Sequence, residues 1–292
     1  MKMWLVGAGY WGSKLLTSLQ KFDVDAQVID IRNGQTIDDI NTQDPVMLAT
    51  PLWQHHEQVL QLLARGHDVY VEKPMAETLQ QVTDIQQVLS PAQLLMVGHI
   101  FVHHPQMQQI KDIIAQGTIG HLVHVTSRRL NWGIYQTKTD PLLSLGTHDI
   151  SIVASLAGGT PVATRAQTWN YSNNTQPDRV WFSGTCEGVS FEIDVSWCWP
   201  VRTRQTVIVC SQGQIVWDQD ANTVTVSRNI IQDRRAVADT APEILQYDHA
   251  LSPLEAELKH WVDCVAHRRL PSTGVVQAKQ VAQTIDQVNQ LI

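Results

Sequence analysis

Lys73 and His148 are the two side chains whose type and setting suit proton chemistry. Lys73 stands in Val71-Glu72-Lys73-Pro74, at the end of an apolar run. A proline holds the residue before it away from helical backbone angles. The lysine is thereby placed at the carboxyl edge of a sheet, where open α/β sheets bind ligands. His148 lies in Leu145-Gly146-Thr147-His148-Asp149-Ile150. An imidazole titrates near about 6.5 and accepts a proton at neutral pH, whereas an ammonium near about 10.4 needs burial or a neighbouring positive charge before it can do so.

A third segment binds rather than reacts. Gly7-Ala8-Gly9-Tyr10-Trp11-Gly12 is a G-x-G-x-x-G turn between an apolar run and a helical stretch. The first glycine permits the tight turn, the second lets the backbone approach a pyrophosphate, and the third lets the helix pack close to the sheet. The helix N-terminus then offers free N–H groups and a positive dipole end to the phosphates. Asp30 ends the second apolar run and suits the adenosine ribose hydroxyls, which favours NAD over NADP. Arg32, just beyond, is a group that accommodates a 2′-phosphate, so the pair leaves both cofactors open with NAD preferred.

The elements that must position these residues follow from the apolar pattern. Strands are predicted over 3–6, 26–30, 46–49, 68–72 and 94–98, alternating with helices over 11–21, 53–65, 77–89 and 106–115. That alternation implies βαβ units and a parallel sheet. After residue 118 the rhythm changes: a strand over 122–130, a helix over 142–156, then strand-like runs near 162–170, 179–186, 189–199, 204–210, 214–217 and 223–227. Strands without intervening helices imply an antiparallel sheet. Helices near 253–267 and 275–291 follow. The expected architecture is α/β plus α+β: a doubly wound Rossmann domain over 1–118, and a domain with a largely antiparallel, open-faced sheet over 119–292. Such a face, with apolar residues mixed along 180–186 and 207–210, predicts a homodimer or homotetramer through the sheet.

Composition excludes several classes. The 292 residues are 43% hydrophobic and 17% charged, with a formal net charge of −7. This supports packed cores and gives no general electrostatic reason to bind nucleic acid or an anionic membrane. The four cysteines have no C-x-x-C spacing, which argues against zinc-finger and thioredoxin-like sites and for free thiols in the cytoplasm. No signal peptide or membrane-length apolar run is predicted. His55-His56 and His103-His104 are adjacent pairs that point in different directions on a helix and have no completing carboxylate or cysteine, so no metal is predicted.

In the order Gly7-x-Gly9-x-Trp11-Gly12, Ala49-Thr50-Pro51 with His55, Glu72-Lys73-Pro74 and Gly146-x-His148-Asp149-Ile150, the chain resembles the glucose–fructose oxidoreductase / inositol dehydrogenase (Gfo/Idh/MocA) family over essentially its whole length. Val97-Gly98-His99-Ile100-Phe101, Arg129-Leu130-Asn131-Trp132-Gly133 and Ser196-Trp197-x-Trp199-Pro200 with Arg202 and Arg204 are similar to the branch of UDP-N-acetylglucosamine or uronic-acid 3-dehydrogenases. The resemblance implies NAD-dependent oxidation of a secondary alcohol of a sugar, with Lys73 and His148 flanking the reacting hydroxyl. It implies cofactor contacts from Gly7, Gly9, Tyr10, Trp11, Gly12, Asp30, Ile31, Arg32, Thr50, Pro51, His55, Glu72 and Lys73. Substrate contacts are implied for Lys73, His99, Arg129, Asn131, Trp132, Ser144 and His148. Trp132, Trp197 and Trp199 are candidates to stack on a sugar or base, and Arg129, Arg202 and Arg204 to meet a diphosphate. Ser144 stands where many members carry an aspartate, and a serine cannot form a carboxylate–histidine pair. Oxidation of a free sugar or inositol, or a non-catalytic NAD-binding regulator, are the alternatives.

Overall fold

The computed structural model describes residues 1–133, 135, 139–172, 176–232, 235–238, 241–245 and 251–292, with the side chains of 31, 230–232, 236 and 238 left aside. The chain divides into two units: residues 1–104 with 251–282, and residues 105–250 with 283–292.

The first unit holds a five-stranded, all-parallel sheet. Its strands are β1 (Lys2–Val6), β2 (Asp25–Ile29), β3 (Val46–Leu48), β4 (Val69–Glu72) and β5 (Leu95–Gly98), in the order β2-β1-β3-β4-β5. The order reverses between β1 and β3, so the crevice beyond their carboxyl ends is the expected ligand seat. Helices α1 (Tyr10–Leu19), α2 (Leu52–Ala64) and α3 (Leu79–Val88) connect the strands.

Alternation along each strand sends neighbours to opposite faces. Leu48, Val71 and Val97 pack with Val59, Leu62, Val82 and Ile85 of α2 and α3. Met47, Tyr70 and Met96 pack with Leu15 and Leu19 of α1 on the other face. Chain beyond residue 250 completes that second layer. In the full helix order α4 (Pro105–Gln116) and α5 (Thr147–Ala157) come next, followed by α6 (Pro253–His267), which puts Leu258, Trp261 and Cys264 beside Tyr70 and Met96. The predicted single boundary after residue 118 is therefore corrected. A doubly wound sheet needs apolar cover on both faces, and α6 supplies what α1 does not. Helix α4, predicted as the end of the first domain, belongs to the second unit. Its Gln106 amide accepts from the indole of Trp217 at 2.8 Å and donates to the carbonyl of Asn222 at 2.9 Å.

The second unit is built on a sheet of nine strands among the described residues: β6 (Leu122–Trp132), β7 (Val162–Trp169), β8 (Arg179–Cys186), β9 (Val189–Ser196), β10 (Cys198–Cys210), β11 (Gly213–Asp218), β12 (Thr223–Gln232), β13 (Arg235–Ala238) and β14 (Glu243–Leu245). All pairs are antiparallel except β6 with β9. Val125, Ser127 and Arg129 of β6 and Thr206, Ile208 and Cys210 of β10 are buried. Trp181, Val207, Val209 and Val216 alternate with buried neighbours as half-buried residues. The predicted helix over 142–156 is a π-helical turn over Leu142–Gly146 running into α5. The last helix, α7 (Val275–Leu291), contributes to both units. No helix among the described residues is long and apolar enough to cross a membrane.

Candidate functional site

Strand β1 ends at Gly7, whose φ is +100°. A Cβ on Gly7 would lie 2.6 Å from the carbonyl oxygen of Ala49, and one on Gly12 would lie 1.9 Å from the carbonyl oxygen of Gly7. Backbone therefore rests directly on backbone where β1, β3 and α1 converge. A Cβ on Gly9, at the start of α1, would meet nothing within 4 Å. The space it faces is a cavity of about 380 Å³ walled by the turn from Gly7 to Trp11, by Asp30 and Arg32, and by Ala49, Thr50, Pro51 and Gln54. Open backbone at a helix N-terminus, with a carboxylate at the far side, fits a dinucleotide.

The structure thus brings together Gly7, Gly9, Tyr10, Trp11, Asp30, Arg32, Thr50 and Pro51. Gly12 acts behind the wall, as the contact that seats α1. Gln54 escaped sequence reasoning because a lone glutamine in the first turn of a helix carries no signal of its own. The side chain of Ile31 lies outside the described residues. Arg32 donates through Nε (2.9 Å) and Nη2 (2.8 Å) to the two carboxylate oxygens of Asp30, and through Nη2 to the carbonyl of Ala8 (3.1 Å). The Arg32 guanidinium holds the Asp30 carboxyl below its ordinary range.

His55 does not line the cavity. Its ring is buried, with Nδ1 2.9 Å from the carbonyl oxygen of Pro74 and Nε2 2.8 Å from that of Thr50. Burial lowers its pKa. The expected cofactor contact is replaced by a brace: the ring is occupied on both edges by the loops that follow β3 and β4.

The Lys73–Pro74 peptide is cis. Glu72, predicted to touch cofactor, is turned into the protein. Its carboxyl accepts from the indole N–H of Trp11 and from the Tyr70 hydroxyl (3.1 Å). Burial pushes its pKa up to about 7, against the opposing pull of Trp11, Lys73 and Tyr70. His99, after β5, is buried as well; burial and then the charge of Lys73 lower its pKa to about 3, so the ring is neutral. An expected substrate ligand, His99 instead presents an uncharged, solvent-shielded ring within the field of Lys73.

In the second unit, Arg129 is 2% exposed. It donates through Nε (2.9 Å) and Nη2 (3.0 Å) to Asp149 and through Nη1 (3.0 Å) to Gln219. The Ser127 hydroxyl also donates to Asp149 at 2.7 Å. The expected contact of Arg129 with a diphosphate is corrected, since its three nitrogens are engaged inside the protein. The pair instead pins the first turn of α5, and with it His148, to β6. Asn131 accepts through Oδ1 from Arg204 Nε (3.3 Å) and Nη2 (3.2 Å). Arg202 pairs with Asp220 at 2.8 Å. Trp132 is 74% exposed, whereas Trp197 is buried and donates its indole N–H to the Ser144 hydroxyl at 3.1 Å. Trp199 lies against Arg179, whose guanidinium carbon is 4.4 Å from its ring centroid. Trp132 is thus the most exposed of the three tryptophans. Lys73 belongs to the first unit and His148 to the second.

A model of an oxidoreductase family with an NAD-binding Rossmann fold matches residues 26–99, and the GFO/IDH/MocA C-terminal domain matches residues 107–216. The chain belongs to the GFO/IDH/MocA oxidoreductase family. Among curated relatives, a 2,7-anhydro-N-acetylneuraminate hydratase of Mediterraneibacter gnavus is 27% identical over 184 residues, covering 54% of this chain and 49% of the relative. A dTDP-3,4-didehydro-2,6-dideoxy-alpha-D-glucose 3-reductase of Actinomadura kijaniata is 33% identical over 80 residues, or 27% of this chain and 24% of the relative. The chain spans about half or less of the length of the curated relatives it matches. In fold it is similar to a UDP-N-acetylglucosamine 3-dehydrogenase of Acidithiobacillus ferrooxidans, with a TM-score of 0.81 and 19% identity over 100% of this chain and 97% of that one.

Two outcomes follow from this geometry. Titration should show NADH bound more tightly than NADPH, and Asp30→Ala should narrow the ratio by about tenfold, roughly 1.4 kcal/mol; tighter NADPH binding by the parent would contradict the role given to Asp30. The second concerns Glu72. Because the folded protein holds its proton to about pH 7, against 4.5 for the ordinary carboxyl, the native state binds more protons across that window and this group's contribution to stability falls as pH rises through it. Urea midpoints should therefore favour Glu72→Gln over the parent more at about pH 8 than at about pH 4, whereas a constant difference would refute the raised pKa.

Proposed function

We propose that the protein is an NAD-dependent dehydrogenase of a secondary sugar alcohol, with a nucleotide sugar such as UDP-N-acetylglucosamine or its uronic acid, oxidised at C3, as substrate. One observation carries the reading. Trp11 lines the dinucleotide cavity and donates its indole N–H to Glu72, the residue directly before Lys73. The lysine is thus covalently adjacent to a group hydrogen-bonded to the cavity wall. The similarity in fold to a UDP-N-acetylglucosamine 3-dehydrogenase and the matching Gly146-x-His148-Asp149 segment support the choice of substrate class.

Bound NAD supplies the acceptor for the hydride leaving the carbinol carbon. Lys73 donates a hydrogen bond to the reacting hydroxyl and orients it. His148 accepts the hydroxyl proton, which a general base must do from hydrogen-bond distance. Ser144 accepts the Trp197 N–H and holds no charge. Trp132 is the exposed aromatic face suited to a sugar or base.

Four free cysteines fit a reducing, cytoplasmic setting. The half-buried Trp181, Val207, Val209 and Val216 support assembly of two or four copies through the sheet of the second unit.

Reduction of NAD should be seen with a UDP-sugar and not with free sugars or inositol. Lys73→Met should bind NADH as the parent does and lose at least about 10²-fold in kcat. Undiminished turnover would remove the role of Lys73; activity only on free sugars or inositol would replace the substrate; cofactor binding without turnover of any of them would favour a regulator. Sedimentation should show a dimer or tetramer that Val207→Glu dissociates, and a monomeric parent would rule out the assembly.

A further inference from the structure

Tyr70 and Glu72 lie two residues apart on β4 and face the same side of the sheet. Glu257 comes from α6 on that side. The Tyr70 hydroxyl oxygen is 3.1 Å from Glu72 Oε1 and 3.1 Å from Glu257 Oε2. All three side chains are buried. Gly98 makes room for them, since a Cβ there would lie 2.5 Å from the Tyr70 hydroxyl oxygen and 3.2 Å from Glu72 Oε2.

A phenol has one proton to donate. Two ionised carboxylates on one hydroxyl would leave one of them facing a lone pair, with two like charges out of water. The arrangement balances when one carboxyl keeps a proton. The two candidates differ in their surroundings. Glu72 accepts from Trp11 as well as Tyr70, and lies in the field of Lys73. Glu257 Oε1 has no hydrogen-bond partner among the described residues.

We propose that Glu257 is a positioning residue for Lys73: it keeps its proton when Glu72 ionises and donates it to the Tyr70 oxygen, so that the Tyr70 hydroxyl donates to the ionised Glu72 beside the lysine. The lysine's part in the reaction is the reading proposed above; the protonation pattern stands without it. Lys14 of α1 lies over the Trp11 ring, 5.2 Å from its centroid. His99 after β5 is neutral. The adjoining apolar wall from α6 and β5 includes Leu258, Trp261 and Met96. Burial raises the pKa of both carboxyls, and drives that of Glu257 well up, with the charge of Glu72 adding to it.

Infrared titration of the whole, ligand-free protein tests this without any substrate. The carbonyl band of a buried neutral carboxylic acid should persist in the parent at about pH 9, well above the ordinary carboxyl range and after Glu72 has ionised. It should vanish in Glu257→Gln. The Glu72 midpoint, about 7 in the parent, should stay in place in Glu257→Gln, whose amide N–H replaces the acid as donor to Tyr70. It should rise by about one unit in Tyr70→Phe, which removes a donor from the Glu72 carboxylate. A band that survives Glu257→Gln would put the proton elsewhere. A Glu72 midpoint that drops in Glu257→Gln would show that Glu257 was ionised, and one unmoved in Tyr70→Phe would break the link through the hydroxyl. Each of these three results overturns the proposal.

Discussion

Close contact between peptide groups at the head of α1 is the constraint from which the first unit takes its form. With no side chain on Gly7 or Gly12, the end of β1, the start of α1 and the loop after β3 meet at distances that any Cβ would forbid. This contact sits where the strand order reverses, so the crevice it leaves opens at the switch point of the sheet. It also sets the direction of α1. Trp11, in the first turn, has its ring at the cavity wall and its N–H on Glu72. A packing requirement between peptide groups thus fixes the polar surroundings of the strand end that carries Lys73.

The two candidate proton-handling residues share a local design. Each has a buried acidic neighbour in sequence: Glu72 precedes Lys73, and Asp149 follows His148. The acids are satisfied differently. Asp149 has a bidentate arginine and a serine, so its charge is matched inside the protein. Glu72 has neutral donors and the lysine itself, and burial raises its pKa. Removing one partner of a buried ion pair typically costs about 3–5 kcal/mol, so Arg129 is held by structure at least as firmly as a ligand contact would hold it. His55 is likewise held inside the protein, its neutral ring donating one N–H to one of the two backbone carbonyls that flank it.

Much of this was legible in the residues. The glycine turn, Asp30 and the alternation of strands with helices carry period and spacing signals that survive folding. The predicted helices near 253–267 and 275–291 coincide with α6 and α7. What periodicity does not encode is destination. The apolar stripe of α6 announces a buried face, yet says nothing of which sheet it covers. Arg129 and His55 depart from expectation for a related reason. A polar side chain has the same letter whether it meets a ligand or an internal partner; only the register of β6 against α5, or the approach of two loops, decides between them. The Glu72–Tyr70–Glu257 cluster joins residues 187 positions apart and has no local trace.

The division of the chain has a bearing on how it is made. The first unit is interrupted after residue 104 and resumes at 251. As the protein leaves the ribosome, its parallel sheet emerges with one layer lacking Leu258 and Trp261, and waits while the 146 residues of 105–250 are synthesised. At about 5–20 residues per second that interval is roughly seven to thirty seconds. Throughout it the face bearing Tyr70 and Met96 lacks its partner helix, which makes the nascent chain, rather than the finished protein, the form most in need of a chaperone.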